Sequence, residues 1–194
     1  MTTPAQVKEL RALTGCGIVE CKDALDEADG NVDQAVALLR KKGIIKAAKK
    51  SSRETSEGII SSYVHTNGKV AVLVSLLCET DFVARNETFQ ELAKNIALHV
   101  AAMDPQVVSP EDVPEEDVAA ERDIAEDAAD KSGKPAEIQK KIIEGKLSSF
   151  RAERALLTQS FVKEPDKTIE QLISAAVQEL GENISVKEFA RLSI

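Results

Sequence analysis

A chain of 194 residues is long enough to bury a sizeable core, as one domain or as one domain with a small appendage, and with aromatics at 3% that core must be aliphatic. The formal net charge of -8 argues against a protein whose main work is coating nucleic acid, which needs a basic face. Cys16, Cys21 and Cys78 form no C-x-x-C pair, and His65 and His99 fall in different elements, so no disulfide framework, metal cage or cofactor is expected.

Thr3-Pro4-Ala5-Gln6 has the form of a capping box with proline at the first helical position. It opens a helix with apolar positions Val7, Leu10 and Leu13, which Gly15 and Gly17 break. A second helix from Ile18 carries Cys21, Ala24, Leu25 and Ala28 inward and stops at Gly30, a residue suited to a left-handed helix end. Asn31 caps a third helix through Val32, Ala35, Val36 and Leu39, closed by Gly43. These three helices make a module over residues 1–45. Arg11, Ile18, Val19 and Lys22 cluster around the Gly15–Gly17 corner and cannot all point inward. Helical spacing alone fits Ile18 and Val19 either as core or as an exposed face.

Lys41, Lys42, Lys46, Lys49, Lys50 and Arg53 lie on a helical connector ending at Gly58. Residues 46–57 read as a basic, solvated linker. The alternative is contact with RNA or an acidic surface, but no interleaved aromatics offer base stacking. Ile59–Thr66 and Lys69–Leu77 then form two strand-like runs joined by Asn67-Gly68, the preferred pair for a two-residue primed turn.

The stretch Val70–Leu77 is apolar apart from Ser75 and rich in β-branched residues, which suits a strand with both faces covered. It stops at Glu79-Thr80-Asp81, where a buried ladder would strand charge, so Asp81 and Phe82 fall on a turn. From Glu87 the period becomes helical through Phe89, Leu92, Ala93, Ile96, Ala97, Val100 and Ala101, with Asn86 as N-cap. An aromatic at the end of an element is usually buried, so Phe82 as core competes with Phe82 as a presented surface. His99, in register with Leu92, Ile96 and Met103, sits at the edge of the apolar stripe.

Between Asp104 and Asp130 the only basic residue is Arg122, and Glu115, Glu116 and Asp117 mark a helix N-terminus. That helix breaks at Ser132-Gly133-Lys134-Pro135 and returns through Ile138, Ile142, Ile143, Leu147 and Phe150, a helical arm over about 115–155. Thr168-Ile169-Glu170-Gln171 starts a further helix that Gly181 ends. Ile184, Val186, Ala190, Leu192 and Ile194 then alternate as a final strand, antiparallel in the hairpin's sheet. The fold class is α+β: a three-helix module, then a small antiparallel sheet with flanking helices and a projecting helical hairpin in a core over 58–194.

Three motifs carry a resemblance. Cys78-Glu79-Thr80-Asp81-Phe82-Val83-Ala84-Arg85-Asn86 resembles the signature of bacterial translation elongation factor Ts, the nucleotide exchange factor for elongation factor Tu. Leu10-Arg11-x-x-Thr14-Gly15-x-Gly17-x-x-x-Cys21-Lys22-x-Ala24-Leu25 matches near the N-terminus. Gly133-Lys134-Pro135-x-x-Ile138, Ile143-Glu144-Gly145 and Phe161-Val162 follow in the family's order. The resemblance implies a ubiquitin-associated-like fold for the three-helix module. It also implies that Asp81, Phe82, Val83, Arg85 and His99, with Arg11, Ile18, Val19 and Lys22 from the module, contact the GTPase. No internal duplication is present, whereas longer members carry the core twice. Non-covalent pairing of two copies is left open.

The sequence contains no phosphate loop, nucleophile motif or metal-ligand cluster, so a binding protein that alters another protein's nucleotide affinity is expected rather than an enzyme. The rivals are an RNA-binding translation protein using Lys41–Arg53 and a scaffold using the helical arm. Residues 1–6 have no charged start followed by an apolar run, and no stretch is long enough to span a bilayer. The expectation is a cytoplasmic protein without membrane contact, a signal peptide or a specific nucleic-acid partner.

Overall fold

The structure is a computed structural model that describes residues 2–14, 16–131 and 134–194, with the side chains of 44–49 left outside the description. The expectations placed on Gly15, on the side chains of Lys46 and Lys49, and on Ser132 and Gly133 therefore lie outside the described residues. The protein is α+β and divides into two compact units, Met1–Leu98 with Glu170–Ile194, and His99–Ile169.

In the first unit, α1 (Pro4–Thr14) begins with the predicted box: Thr3 N–H donates to Gln6 Oε1 at 2.9 Å, and Gln6 N–H donates to Thr3 Oγ1 at 3.3 Å. The second helix, α2 (Ile18–Glu27), turns into α3 (Val32–Lys50) through Asp29 and Gly30, both at positive φ. Asn31 Oδ1 caps α3 by accepting from Gln34 N–H at 3.0 Å. Leu10, Cys16, Cys21, Ala24, Leu25, Ala28, Ala35 and Leu39 form one buried cluster. The third helix does not stop at Gly43 as predicted but runs through it to Lys50. Gly43 thus does not terminate the helix, and a Cβ there would meet only the mobile end of the Gln178 side chain, at 2.6 Å from Oε1.

The sheet has the order β1-β2-β5, all antiparallel, with β1 (Glu57–Val64), β2 (Val70–Cys78) and β5 (Ser185–Ser193). The connection of β1 to β2 is wider than the predicted two-residue turn. His65 pairs with Val70, and Gly68 N–H donates back to His65 O at 2.8 Å with Gly68 at φ 70°. Asn67 is not among the positive-φ residues, and a primed turn needs positive φ at both central positions.

Nor is β2 covered on both faces. Val72, Val74, Leu76 and Cys78 are buried, whereas Leu73 is 52% exposed. A register shift at Ser75/Leu76 also changes which face of β5 is inward: Val186 lies opposite Leu76, but Phe189 and Arg191 lie opposite Val74 and Val72. One extra residue on a strand inverts its alternation beyond that point. Ala190 and Leu192, predicted to share the inward face with Val186, are therefore turned outward with Leu73, Ile60 and Val64. Two helices complete the unit: α4 (Asp81–Ala84) and α8 (Ile169–Leu180), the latter ending at Gly181, φ 81°.

Helix α5 (Glu87–Met103) carries a buried stripe of Phe89, Leu92, Ala93, Ile96, Ala97 and Val100. In the second unit α6 (Glu115–Asp130) and α7 (Ala136–Arg154) run antiparallel, with Glu115 at the start of one paired to Arg151 in the last turn of the other at 3.2 Å. Val113, Val118 and Leu147 are buried between them, and Arg154 lies 3.6 Å over the Phe150 ring. A short ribbon of β3 (Ser160–Phe161) and β4 (Glu164–Thr168), absent from the sequence prediction, follows. It is too short for a periodic signal to register.

Candidate partner-binding site

The charged residues after β2 form a four-residue helix, α4, rather than the open turn predicted from the loss of apolar character. Thr80, in extended conformation, is its N-cap, with Oγ1 accepting from Val83 N–H at 3.5 Å. On one turn of helix neighbouring side chains point in different directions. Val83 and Ala84 are buried, which fixes the turn to the core, and Phe82 between Asp81 and Val83 is 80% exposed. Phe82 is therefore not a core residue. Burying a ring is worth roughly 3 kcal/mol, a gain that this chain by itself leaves largely untaken at Phe82.

Asp81 and Arg85 share that turn as an i,i+4 ion pair of 3.0 Å, with both side chains substantially solvated. Such a pair contributes little to stability. Asn86 then caps α5 as predicted, its Oδ1 accepting from Thr88 N–H at 2.8 Å. Beneath the turn, burial and then the Glu182 carboxylate push the Cys78 thiol up to about 11. It stays protonated and donates to Thr80 O at 3.2 Å.

Arg11, Ile18, Val19 and Lys22 are all exposed, at the end of α1 and on the first turns of α2, so Ile18 and Val19 are surface and not core. The module is tied to the same unit as α4: Gln178 Nε2 of α8 donates to Glu20 at 3.4 Å, and Lys50 Nζ donates to Gly181 O at 2.5 Å. Thr14 of the module and Glu87, Thr88 and Glu91 of α5 line one open groove of about 340 Å³. The corner of the module and the helix just past Arg85 thus share a surface depression.

His99 does not join an exposed face. It is fully buried, not at the edge of a stripe, because the segment after α7 covers it: Nδ1 accepts from Val162 N–H at 3.2 Å, Nε2 lies 3.1 Å from Gln159 Oε1, and its ring is 6.1 Å from Phe161. These contacts fix the neutral tautomer with the proton on Nε2. Burial lowers its pKa below the usual 6.5, opposed by the Gln159 bond. Val83, similarly, is an anchor rather than a presented side chain.

Sequence reasoning missed Glu182. Its carboxylate holds Glu79 and Thr80, but it lies in an unpatterned loop far along the chain. Among the described residues no group of three or more His, Cys, Asp and Glu side chains is placed to hold a metal ion. Among them, too, no helix is long and apolar enough to cross a membrane.

A family profile described as elongation factor TS matches residues 4–194. The chain is 52% identical over 194 residues to the elongation factor Ts of Thermosipho melanesiensis, covering 100% of this chain and 99% of that one. It is 50% identical over 189 residues to that of Geobacter sulfurreducens, with 97% and 88% covered. Against that of Fervidobacterium nodosum it is 51% identical over 188 residues, with 97% and 95% covered.

Proposed function

The chain belongs to the elongation factor Ts family, whose work in translation elongation is nucleotide exchange on elongation factor Tu, and we propose that in this member Asp81 and Phe82 carry the exchange. An exchange factor must bind the nucleotide-free GTPase more tightly than the GDP-bound form, so by linkage it weakens GDP as much as GDP weakens it. Magnesium and phosphate-loop contacts make GDP release slow, and a small displacement of either lowers the barrier. Phe82 enters an apolar slot between helices of the GTPase while Asp81 disturbs the neighbouring magnesium and phosphate region. The supporting observation is an 80% exposed Phe82 next to a buried Val83. The factor makes and breaks no covalent bond in this role, and it acts in the cytoplasm, where elongation runs. The RNA-binding alternative finds no support in the family or in the relatives' names.

Residues 1–45 serve as a docking module through Arg11, Ile18, Val19 and Lys22, residues 46–57 as a linker and 58–194 as the core. His99 acts within its own unit, where it fixes residues 159–162 from inside. The outward sheet face takes a second copy of the chain, a reading supported by four large apolar side chains, Ile60, Val64, Leu73 and Leu192, left in water across its three strands.

The deciding experiment is stopped-flow release of fluorescent GDP from elongation factor Tu. Phe82→Ala and Asp81→Ala should bind the GTPase yet give a maximal rate well below the parent's at saturation. Parental maximal rates in both would overturn the wedge.

A further inference from the structure

Phe82 has little packing of its own to aim it. Its ring is in solvent, and a helix of four residues is far below the length that sustains itself in water. Its direction is set by the backbone at Thr80, which is held by residues distant in sequence. The Glu182 carboxylate, just past α8, accepts three hydrogen bonds: Oε2 from the N–H groups of Glu79 at 3.1 Å and Thr80 at 3.0 Å, Oε1 from the Thr80 hydroxyl at 2.6 Å. Bonds to an ionised acceptor are stronger than neutral ones. Because the hydroxyl proton goes to Glu182, the lone pairs of Thr80 Oγ1 are left for Val83 N–H, the cap of α4.

Asn183 extends the clamp. Its N–H donates to Glu79 Oε1 at 2.6 Å, and its buried Nδ2 donates to Arg53 O at 2.9 Å and to Ser51 O at 3.4 Å. Two consecutive residues thus tie the end of β2 to the segment leaving α3. We propose that Glu182 is a positioning residue for exchange: its three hydrogen bonds to Glu79 and Thr80 set the direction in which Asp81 and Phe82 meet the GTPase. This rests on the wedge role of Phe82.

Two measurements test it. Amide hydrogen exchange on the free protein reads the turn without the GTPase. Glu182→Ala should speed exchange at Val83 to Arg85 by about tenfold while leaving the amides of β2 unchanged, and the isosteric Glu182→Gln should fall between. Maximal GDP release at saturating factor should drop by about three- to tenfold in Glu182→Ala, less in Glu182→Gln, with half-saturation changed by less than about twofold. Glu182→Ala should slow Phe82→Ala by a smaller factor than it slows the parent, the remainder acting through Asp81. Unchanged exchange at the turn, or a parental maximal rate in Glu182→Ala beside a slowed Phe82→Ala, overturns the inference. Parental rates in both Phe82→Ala and Asp81→Ala instead overturn the wedge itself, and this role with it.

Discussion

Phe82 and Val83 are adjacent in sequence and opposite in environment, 80% against 9% exposed. The single turn of α4 separates presenting a side chain from holding it, and the two substitutions should therefore separate in stability.

Phe82→Ala should change the unfolding free energy by no more than about 0.5 kcal/mol, since the ring leaves no cavity. Val83→Ala should cost about 2 kcal/mol through lost burial. Urea denaturation of the two variants checks this. A large loss in Phe82→Ala would mean that the ring is packed in solution.

For the module, docking implies an effect on affinity and not on the rate at saturation. Val19→Ser should raise the half-saturating concentration for GDP release by about fivefold, near 1 kcal/mol, and leave the maximal rate intact. Lys22→Ala should weaken association most at low salt and flatten its salt dependence. A reduced maximal rate in either variant would place the module in the release step.

On the sheet, Leu73 stands opposite Ser62 and Ala190 on the outward face. Leu73→Lys should shift sedimentation toward the monomer with little change in melting temperature, because the position is half in water already. A parent that sediments as a monomer at every concentration would remove this interface.

His99 gives a pH signature. Unfolded, the imidazole gains its proton near 6.5; folded, burial holds it neutral to lower pH. The unfolded chain binds more protons across that interval. Stability is accordingly full above about 6.5 and falls as pH drops through the lowered folded value. Between about pH 7.5 and 5.5 the parent should lose more unfolding free energy than His99→Gln. Equal losses would mean that His99 is solvated.

The sequence by itself determined what depends on neighbours within a turn or two. The Thr3–Gln6 box, the Asn31 and Asn86 caps, the stops at Gly30 and Gly181, and the α5 stripe all form from local hydrogen bonds or from a period the chain carries in its own order. It also placed Asp81 and Phe82 at the end of the central strand. Only the tertiary structure decided which face of each element meets what. A period marks an apolar face but not its cover, so the bulge that turns Leu192 outward, the Val162 segment that buries His99, and the Gln178 contact at Gly43 left no local trace. The same holds for Phe82, whose exposure follows from Val83 being the anchored neighbour and from Glu182 gripping Thr80 from 102 residues away.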